Sequence, residues 1–277
     1  MNIMKKTILI TGTSTGIGRA MTLLFASKGW NVVAGMLEPE KEHEFIHNEN
    51  ILPSKLRLED PGTIAQTIEA GIAKFGKIDV LANNAGFGQY GLFEALTPEQ
   101  IKYQFEVNLF GTMNVIRAVL PHFRKNKGGM VLNISSAGGR IGIPLISMYV
   151  TSKFALEGFS EAISYELASQ NIVVKLVEPG GVDTPFHETA AERYANYPAL
   201  TDYDAYTTAF NKKFESMFEV LASAKDVAEE AYRAATDGSD RFRYAVGNDA
   251  KAWIKARTSM DDLEYARHMR ELFKVNY

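Results

Sequence analysis

Residues 7–18 read TILITGTSTGIG, an apolar run that ends in three glycines spaced GxxxGxG, and a helical pattern over 19–28 follows at once. A short run of threonine, isoleucine and leucine bounded by a turn is the pattern of a strand buried on both faces. Glycines in such a turn let the backbone approach a ligand closely. The unpaired N–H groups and dipole of the following helix then favour an anion such as a pyrophosphate. The spacing differs from the GxGxxG dinucleotide fingerprint, so the turn by itself marks an anion site without naming the ligand.

Outward from this turn the chain alternates. Strand-like segments at 31–35, 55–58, 78–82, 130–134 and 172–177 are separated by helical patterns near 40–47 and over 61–75, 98–123 and 149–169. This alternation predicts an α/β protein, a Rossmann-type doubly wound parallel sheet with helices on both faces. Ligands bind such sheets at the carboxyl ends of the strands. The polar turn Asn83-Asn84-Ala85-Gly86 and Ser136 both fall at such ends. No linker or low-complexity segment interrupts the chain, so residues 1–277 are expected to form one domain.

Residues 136–153, SAGGRIGIPLISMYVTSK, carry a hydroxyl, a phenol and an ammonium. Tyr149 and Lys153 are four apart and share one face of a helix that starts near Tyr149. A unit charge about 4 Å from a phenol, at an effective dielectric near 20, is worth about 4 kcal/mol. That matches the roughly three-unit fall from a phenol pKa of about 10 that proton transfer near neutrality requires. Ser136 could hold a substrate oxygen from the opposite side. Its spacing to Tyr149 suits this better than that of Ser135, which reads as a strand-end hydroxyl.

Composition narrows the classes of function. The 277 residues are 46% apolar and 23% charged, with a formal net charge of -3 and no cysteine. Near-balanced charge without a dense basic run gives no support for a nucleic-acid partner. The lack of cysteine excludes disulfides, thiol catalysis and thiolate metal sites. The five histidines lack metal-ligand spacing, so no metal is expected. Lys5 and Lys6 precede only a short apolar run, which argues against a secretion signal or membrane span and makes a cytoplasmic location the expectation.

Taken together, these residues resemble the classical short-chain dehydrogenase/reductase family, collinearly over about 7–184 and more loosely to about 247. The resemblance rests on the glycines Gly12, Gly16 and Gly18, the turn from Asn83 to Gly86, the set Asn108, Ser136, Tyr149 and Lys153, and a PGxxxT segment starting at Pro179. It implies an NAD(P)-dependent oxidoreductase that transfers hydride between nicotinamide and a ketone or secondary alcohol. Tyr149 would be the general acid in reduction and the base in oxidation, and Ser136 would hold the carbonyl or alcohol oxygen. Lys153 would lower the tyrosine pKa and bind the nicotinamide ribose, and Asn108 would anchor a water leading to bulk. The cofactor would contact Gly12, Thr13, Ser14, Thr15, Gly16, Ile17 and Gly18, then Asn84, Ala85 and Gly86, then Pro179, Gly180, Val182 and Thr184. A small-molecule carbonyl or alcohol is the expected partner, and a homodimer or homotetramer the expected assembly.

Two departures bear on the cofactor. Where family members carry a basic or acidic residue after the second strand, this chain has Leu37 and Met36, and the common aspartate after Leu56 is Arg57. Glu38, twenty residues beyond Gly18, could bond to a ribose 2'-hydroxyl and repel a 2'-phosphate, which tilts the choice between NAD and NADP slightly to NAD.

Residues 184–220 leave the alternation and are rich in aromatics, the pattern of a lid over an apolar substrate. Phe186 and Tyr194 are expected in the pocket with Leu145, Ile146 and Met148. Phe210, Phe214 and Phe218, at helical spacing, are expected to pack a helix against the sheet. A charged, amphipathic helical extension is expected over 249–275. Two other functions fit less well: a nucleotide-sensing binding protein of the same fold without turnover, and a sugar-nucleotide epimerase or dehydratase.

Overall fold

The computed structural model describes residues 5–195, 197–217 and 221–273. Seven parallel strands form the central sheet in the order β3-β2-β1-β4-β5-β6-β9. These are β1 (Thr7–Thr11), β2 (Asn31–Met36), β3 (Ile51–Lys55), β4 (Val80–Asn83), β5 (Gly129–Ile134), β6 (Ile172–Pro179) and β9 (Arg243–Val246). A small parallel pair, β7 (Val182–Asp183) and β8 (Ala222–Ser223), lies outside it. Every residue of β1 is buried, as its apolar run requires of a strand with helices on both faces. The order of strands reverses between β1 and β4, and that reversal opens a crevice above their carboxyl ends.

One face of the sheet is covered by α1 (Gly16–Ser27) and α8 (Ala224–Thr236), whose Met21, Phe25, Val227 and Ala231 pack on Ile8, Ile10 and Val32. The other face is covered by α2 (Pro61–Phe75), α4 (Thr112–Lys125) and α5 (Ser147–Ala168). Here Ile64, Ile68, Val115 and Val119 pack on Leu9, Val33 and Leu81. Local chemistry sets the helix starts. Asp60 accepts from the N–H groups of Gly62 and Thr63 ahead of α2, and Thr97 and Gln100 form a capping box that opens α3 (Pro98–Phe105).

The structure departs from the expected elements in several places. Instead of a helix, 40–47 forms two short 3₁₀ turns, because the Glu42 carboxylate accepts from the N–H groups of Glu44 and Phe45 and from Arg19 Nη1, at 2.6 Å for the last. Phe45 is thereby drawn into the core. The third strand lies at Ile51–Lys55, in register with β2, and Leu56 and Leu58 are buried in the turn after it. The helix expected over 98–123 is split by a π-helical turn at Glu106–Gly111. A Cβ at Gly111 would lie 2.6 Å from Leu58 Cβ, so glycine lets this widened turn close on the loop after β3.

After β7 the chain forms α6 (Phe186–Glu192) and α7 (Asp204–Met217) above the strand ends. Helices α9 (Asn248–Ser259) and α10 (Asp262–Phe273) follow β9, and Trp253 and Ala250 pack on Ala137 and Ile141. Phe218 and the end of the expected extension, 274–275, lie outside the described residues. Among the described residues no helix is long and apolar enough to cross a membrane.

Candidate active site

The crevice at the strand reversal holds a cavity of about 420 Å³, lined by the ends of β1 to β6, the start of α5 and the segment after β7. Its glycine-loop side is tightly built. Gly12 has a φ of +71°, and a Cβ at Gly18 would lie 2.0 Å from the Gly12 carbonyl oxygen and 2.6 Å from Asn84 Nδ2. Thr15 precedes α1 without a side-chain cap, and the first turn of α1 carries no acid. Ser14, Thr15, Gly16 and Ile17 line the cavity, so the free N–H groups of this helix start are available to an anion. These residues fit a dinucleotide pyrophosphate by that measure. Thr13 is buried, and its hydroxyl is spent on the Gly35 carbonyl at 3.1 Å.

The turn after β4 is tied to this loop. Asn84 Nδ2 donates to the carbonyls of Thr11 (3.0 Å) and Gly12 (2.9 Å), and Thr11 Oγ1 accepts from the N–H groups of Asn84 and Ala85. One residue earlier, Asn83 donates to Asn133 (2.8 Å) and Asn133 to Ser160 (2.8 Å), a buried chain from β4 through β5 to α5. Relative positions of three elements are therefore set by groups that would be costly to leave unpaired.

Ser136 follows β5 in extended backbone, and its Oγ accepts from the Gly138 N–H at 3.0 Å. Tyr149 and Lys153 lie one turn apart near the start of α5, and both line the cavity with Ser136. Tyr149 is partly buried. Burial pushes Tyr149 up to about 12, and the neighbouring Ser136 hydroxyl acts in the opposite direction. Burial likewise brings Lys153 down to about 8, opposed by the charge of Glu157.

The phenol is raised and not lowered toward neutrality, because burial outweighs the Ser136 hydroxyl. Lys153 Nζ donates to the Ile134 carbonyl at 2.8 Å and stands 5.8 Å from the centre of the Tyr149 ring. Asn108 lies in the π-helical turn with its amide committed to protein. It accepts from Phe87 N (3.0 Å) and donates to Phe87 O (2.9 Å) and Ser152 Oγ (3.2 Å). Asn108 thus fixes the turn beyond Gly86 to α5.

On the far side, Pro179, Gly180, Val182 and Thr184 line the cavity. Gly180 N donates to Val246 O at 2.9 Å, and Gly181 N to the Asp249 carboxylate at 2.6 Å. Phe186 meets the Tyr149 ring edge-on, with centroids 5.6 Å apart. The other expected pocket residues are placed differently. Ile146 lines the cavity, whereas Leu145, Met148 and Tyr194 are not among its lining residues. Leu145 packs with Phe210 and Phe214, in a cluster that also takes in Phe273, and Tyr194 borders a smaller depression of about 70 Å³. Phe210 and Phe214 therefore join α7 to Leu145 and α10 and do not reach the sheet.

Glu38 is also outside the lining, and its carboxylate pairs with Lys41 Nζ at 2.7 Å. Leu37 and Arg57 do line that end of the cavity. Several residues with a hand in the site went unmarked in the sequence: Tyr90, Arg193 and Trp253 in the lining, and Asp249 behind Gly181. The one sequence signal among these is the acid in the first turn of a helix, at Asp249. Among the described residues no group of three or more histidines, aspartates or glutamates is placed to hold a metal ion.

A parallel sheet with a glycine cradle at its reversal carries a tyrosine and a lysine on one helix face beside a serine. The short chain dehydrogenase family model matches residues 6–195. An uncharacterized oxidoreductase of Schizosaccharomyces pombe is 37% identical over 243 residues, 86% of this chain and 99% of that protein. The 3-oxoacyl-[acyl-carrier-protein] reductase of Thermotoga maritima is 36% identical over 198 residues, 70% of this chain and 80% of its own. In three dimensions, a short-chain dehydrogenase from Streptomyces avermitilis superposes with a TM-score of 0.81 at 27% identity, covering 98% of this chain and 97% of that one. ElxO with NADP bound has a TM-score of 0.75 at 27% identity, over 90% of this chain and all (100%) of ElxO. The chain belongs to the short-chain dehydrogenase/reductase family and is an NAD(P)-dependent oxidoreductase.

Proposed function

We propose that this oxidoreductase acts on a ketone or secondary alcohol with a bulky, mostly apolar body. The observation that carries the reading is that Tyr149, Ser136 and Lys153 line one cavity together with Phe87, Tyr90, Ile143, Ile146 and Phe186. When bound, the nicotinamide cofactor supplies or takes up the hydride. Tyr149 gives its proton to the substrate oxygen in reduction and recovers it in oxidation, while Ser136 donates a hydrogen bond to the same oxygen. Lys153 contributes its charge while protonated, below about pH 8. The aromatic wall excludes water and gives apolar area to the substrate. Residues 184–195, with Phe186 over Tyr149, act as the inner edge of a lid.

For the cofactor we propose a modest preference for NAD. Leu37, 57% exposed and uncharged, occupies the end of β2, which leaves Arg57 after β3 as the one cation lining that end of the cavity. Because Glu38 faces Lys41, it acts on a 2'-phosphate only by weak, screened repulsion.

The test is a turnover assay with NADH and NADPH against a panel of aryl and polycyclic ketones, sugars and short keto acids, followed by loss of reduced-cofactor absorbance. Bulky apolar ketones are expected to exceed the small polar compounds by about 10-fold or more in kcat/KM, the scale on which one or two buried methylenes discriminate. Saturable cofactor binding without turnover of any carbonyl would instead support a nucleotide sensor.

A further inference from the structure

Around the reacting groups the wall of the cavity is largely aromatic and aliphatic, and the segment after β7 adds the polar His187 and Thr189 and one cation, Arg193. Arg193, just after α6, lines the cavity, and its guanidinium carbon stands 4.8 Å from the centre of the Phe87 ring and 5.8 Å from that of Tyr103. These two rings are themselves 5.2 Å apart. Aromatic faces receive the flat side of a guanidinium and leave the N–H donors along its edge free for a further partner. Arg193 takes part in none of the ion pairs among the described residues. The one carboxylate in the cavity lining, Glu59, follows β3 at the opposite end.

This cation is held in place by its backbone. The Arg193 carbonyl accepts from Gln89 Nε2 at 2.5 Å, and two residues on Ala195 N donates to Tyr90 O at 2.8 Å. Gln104, fully buried, holds the same loop from behind through Gln89 N (2.7 Å) and Phe87 O (3.0 Å). A charge positioned in this way costs a ligand little reorganisation.

We infer that the substrate carries a carboxylate at the end of its apolar body remote from the reacting carbonyl, and that Arg193 is the residue that selects it. The inference rests on the hydride-transfer reading above and adds to it the charge of the substrate. A wholly neutral steroid-like or aryl ketone would leave this cation without a function in recognition.

The probes are benzoylpropionate and its longer homologues, each paired with its methyl ester as an uncharged control of nearly the same shape. Equilibrium binding to the cofactor-loaded protein and kcat/KM are measured for wild type, Arg193→Gln, Arg193→Lys and Arg193→Glu. Because Arg193 is solvent-exposed, the expected preference of wild type for the best acid over its ester is about 10-fold, the lower end for a charged hydrogen bond. This acid-over-ester ratio should fall to about onefold in Arg193→Gln, be partly kept in Arg193→Lys, which retains the charge without the flat guanidinium that stacks on the rings, and be reversed in Arg193→Glu. Equal binding of acid and ester by wild type at every chain length, or a preference that survives in Arg193→Gln, overturns the inference even where both are turned over. Selective binding of the acid with no turnover of either compound supports the inference and overturns the hydride-transfer reading.

Discussion

The floor of the cavity and the lid proposed above it are held by different forces. On the floor, Asn84 and Ser136 lie just beyond the paired strands β4 and β5, Tyr149 lies in the first turn of α5, and the Asn83–Asn133–Ser160 chain locks the layers together. In the lid, Tyr206, Phe210 and Phe214 of α7 stack on one another at 5.5 to 6.1 Å, and Phe210 meets Phe273 of α10 at 6.0 Å. Hydrogen bonds are directional and fix atoms to fractions of an ångström, whereas ring packing fixes area and tolerates sliding. Proton transfer needs the first kind of order and recognition of an apolar body needs the second.

Disturbing the floor should therefore cost more than disturbing the lid. In Gly18→Ala the new methyl meets backbone oxygen at 2.0 Å, which the loop can relieve only by moving the strand turn away from Asn84. Overpacking of this kind costs up to about 3 kcal/mol, so cofactor affinity should fall about 100-fold in an equilibrium titration. Binding within about threefold of wild type would mean that the glycine loop is compliant and that the floor is no stiffer than the lid.

A second test of the floor uses pH. Lys153 falls from 10.5 to about 8 in the folded protein, so between those values the unfolded chain binds more protons and stability rises with pH. Above pH 10 the raised Tyr149, at about 12, acts in the opposite sense, because the folded protein then holds the extra proton. Urea unfolding of wild type and Lys153→Met, compared from pH 8 to 10.5, should show wild type gaining on the order of 3 kcal/mol relative to the variant. A constant difference would show that the buried amine stays charged.

Smaller effects are expected at the cavity's edges. Phe186→Ala removes the ring that meets Tyr149 edge-on, and kcat/KM for a bulky ketone should drop about 10-fold with cofactor affinity unchanged. A loss of cofactor binding in that variant would place Phe186 with the floor. Smallest is Glu38→Gln, whose ratio of kcat/KM for NAD over NADP should shift by less than about threefold, given the pairing with Lys41. A tenfold shift, about 1.4 kcal/mol, would give that carboxylate a direct part in cofactor choice.

The same contrast decides what could be read from the sequence. Tyr149 and Lys153 are legible because helical periodicity puts them on one face, and Asn84 and Ser136 because strand ends in parallel sheets are where ligands bind. Even there, periodicity places the lysine near the tyrosine without saying which acceptor its ammonium will take, and it takes the Ile134 carbonyl. Arg193 meets Gln89 across 104 residues of chain, and Gly181 meets Asp249 across 68, with no period linking either pair. Leu145 was drawn away from the pocket by Phe210, a tertiary preference that its neighbours in sequence do not encode. One missed element did carry a signal: Ser223 and Asp226 form a capping box ahead of α8, whose alanine face packs on α1.

Tyr149→Phe tests the central claim most directly, because it keeps the ring that Phe186 touches and removes only the hydroxyl. Steady-state turnover and cofactor affinity are measured on the same preparation. The account predicts that kcat falls by about 100-fold to 10,000-fold, the usual contribution of general acid catalysis, and that the cofactor dissociation constant stays within about twofold. A variant that keeps half of its turnover would contradict it.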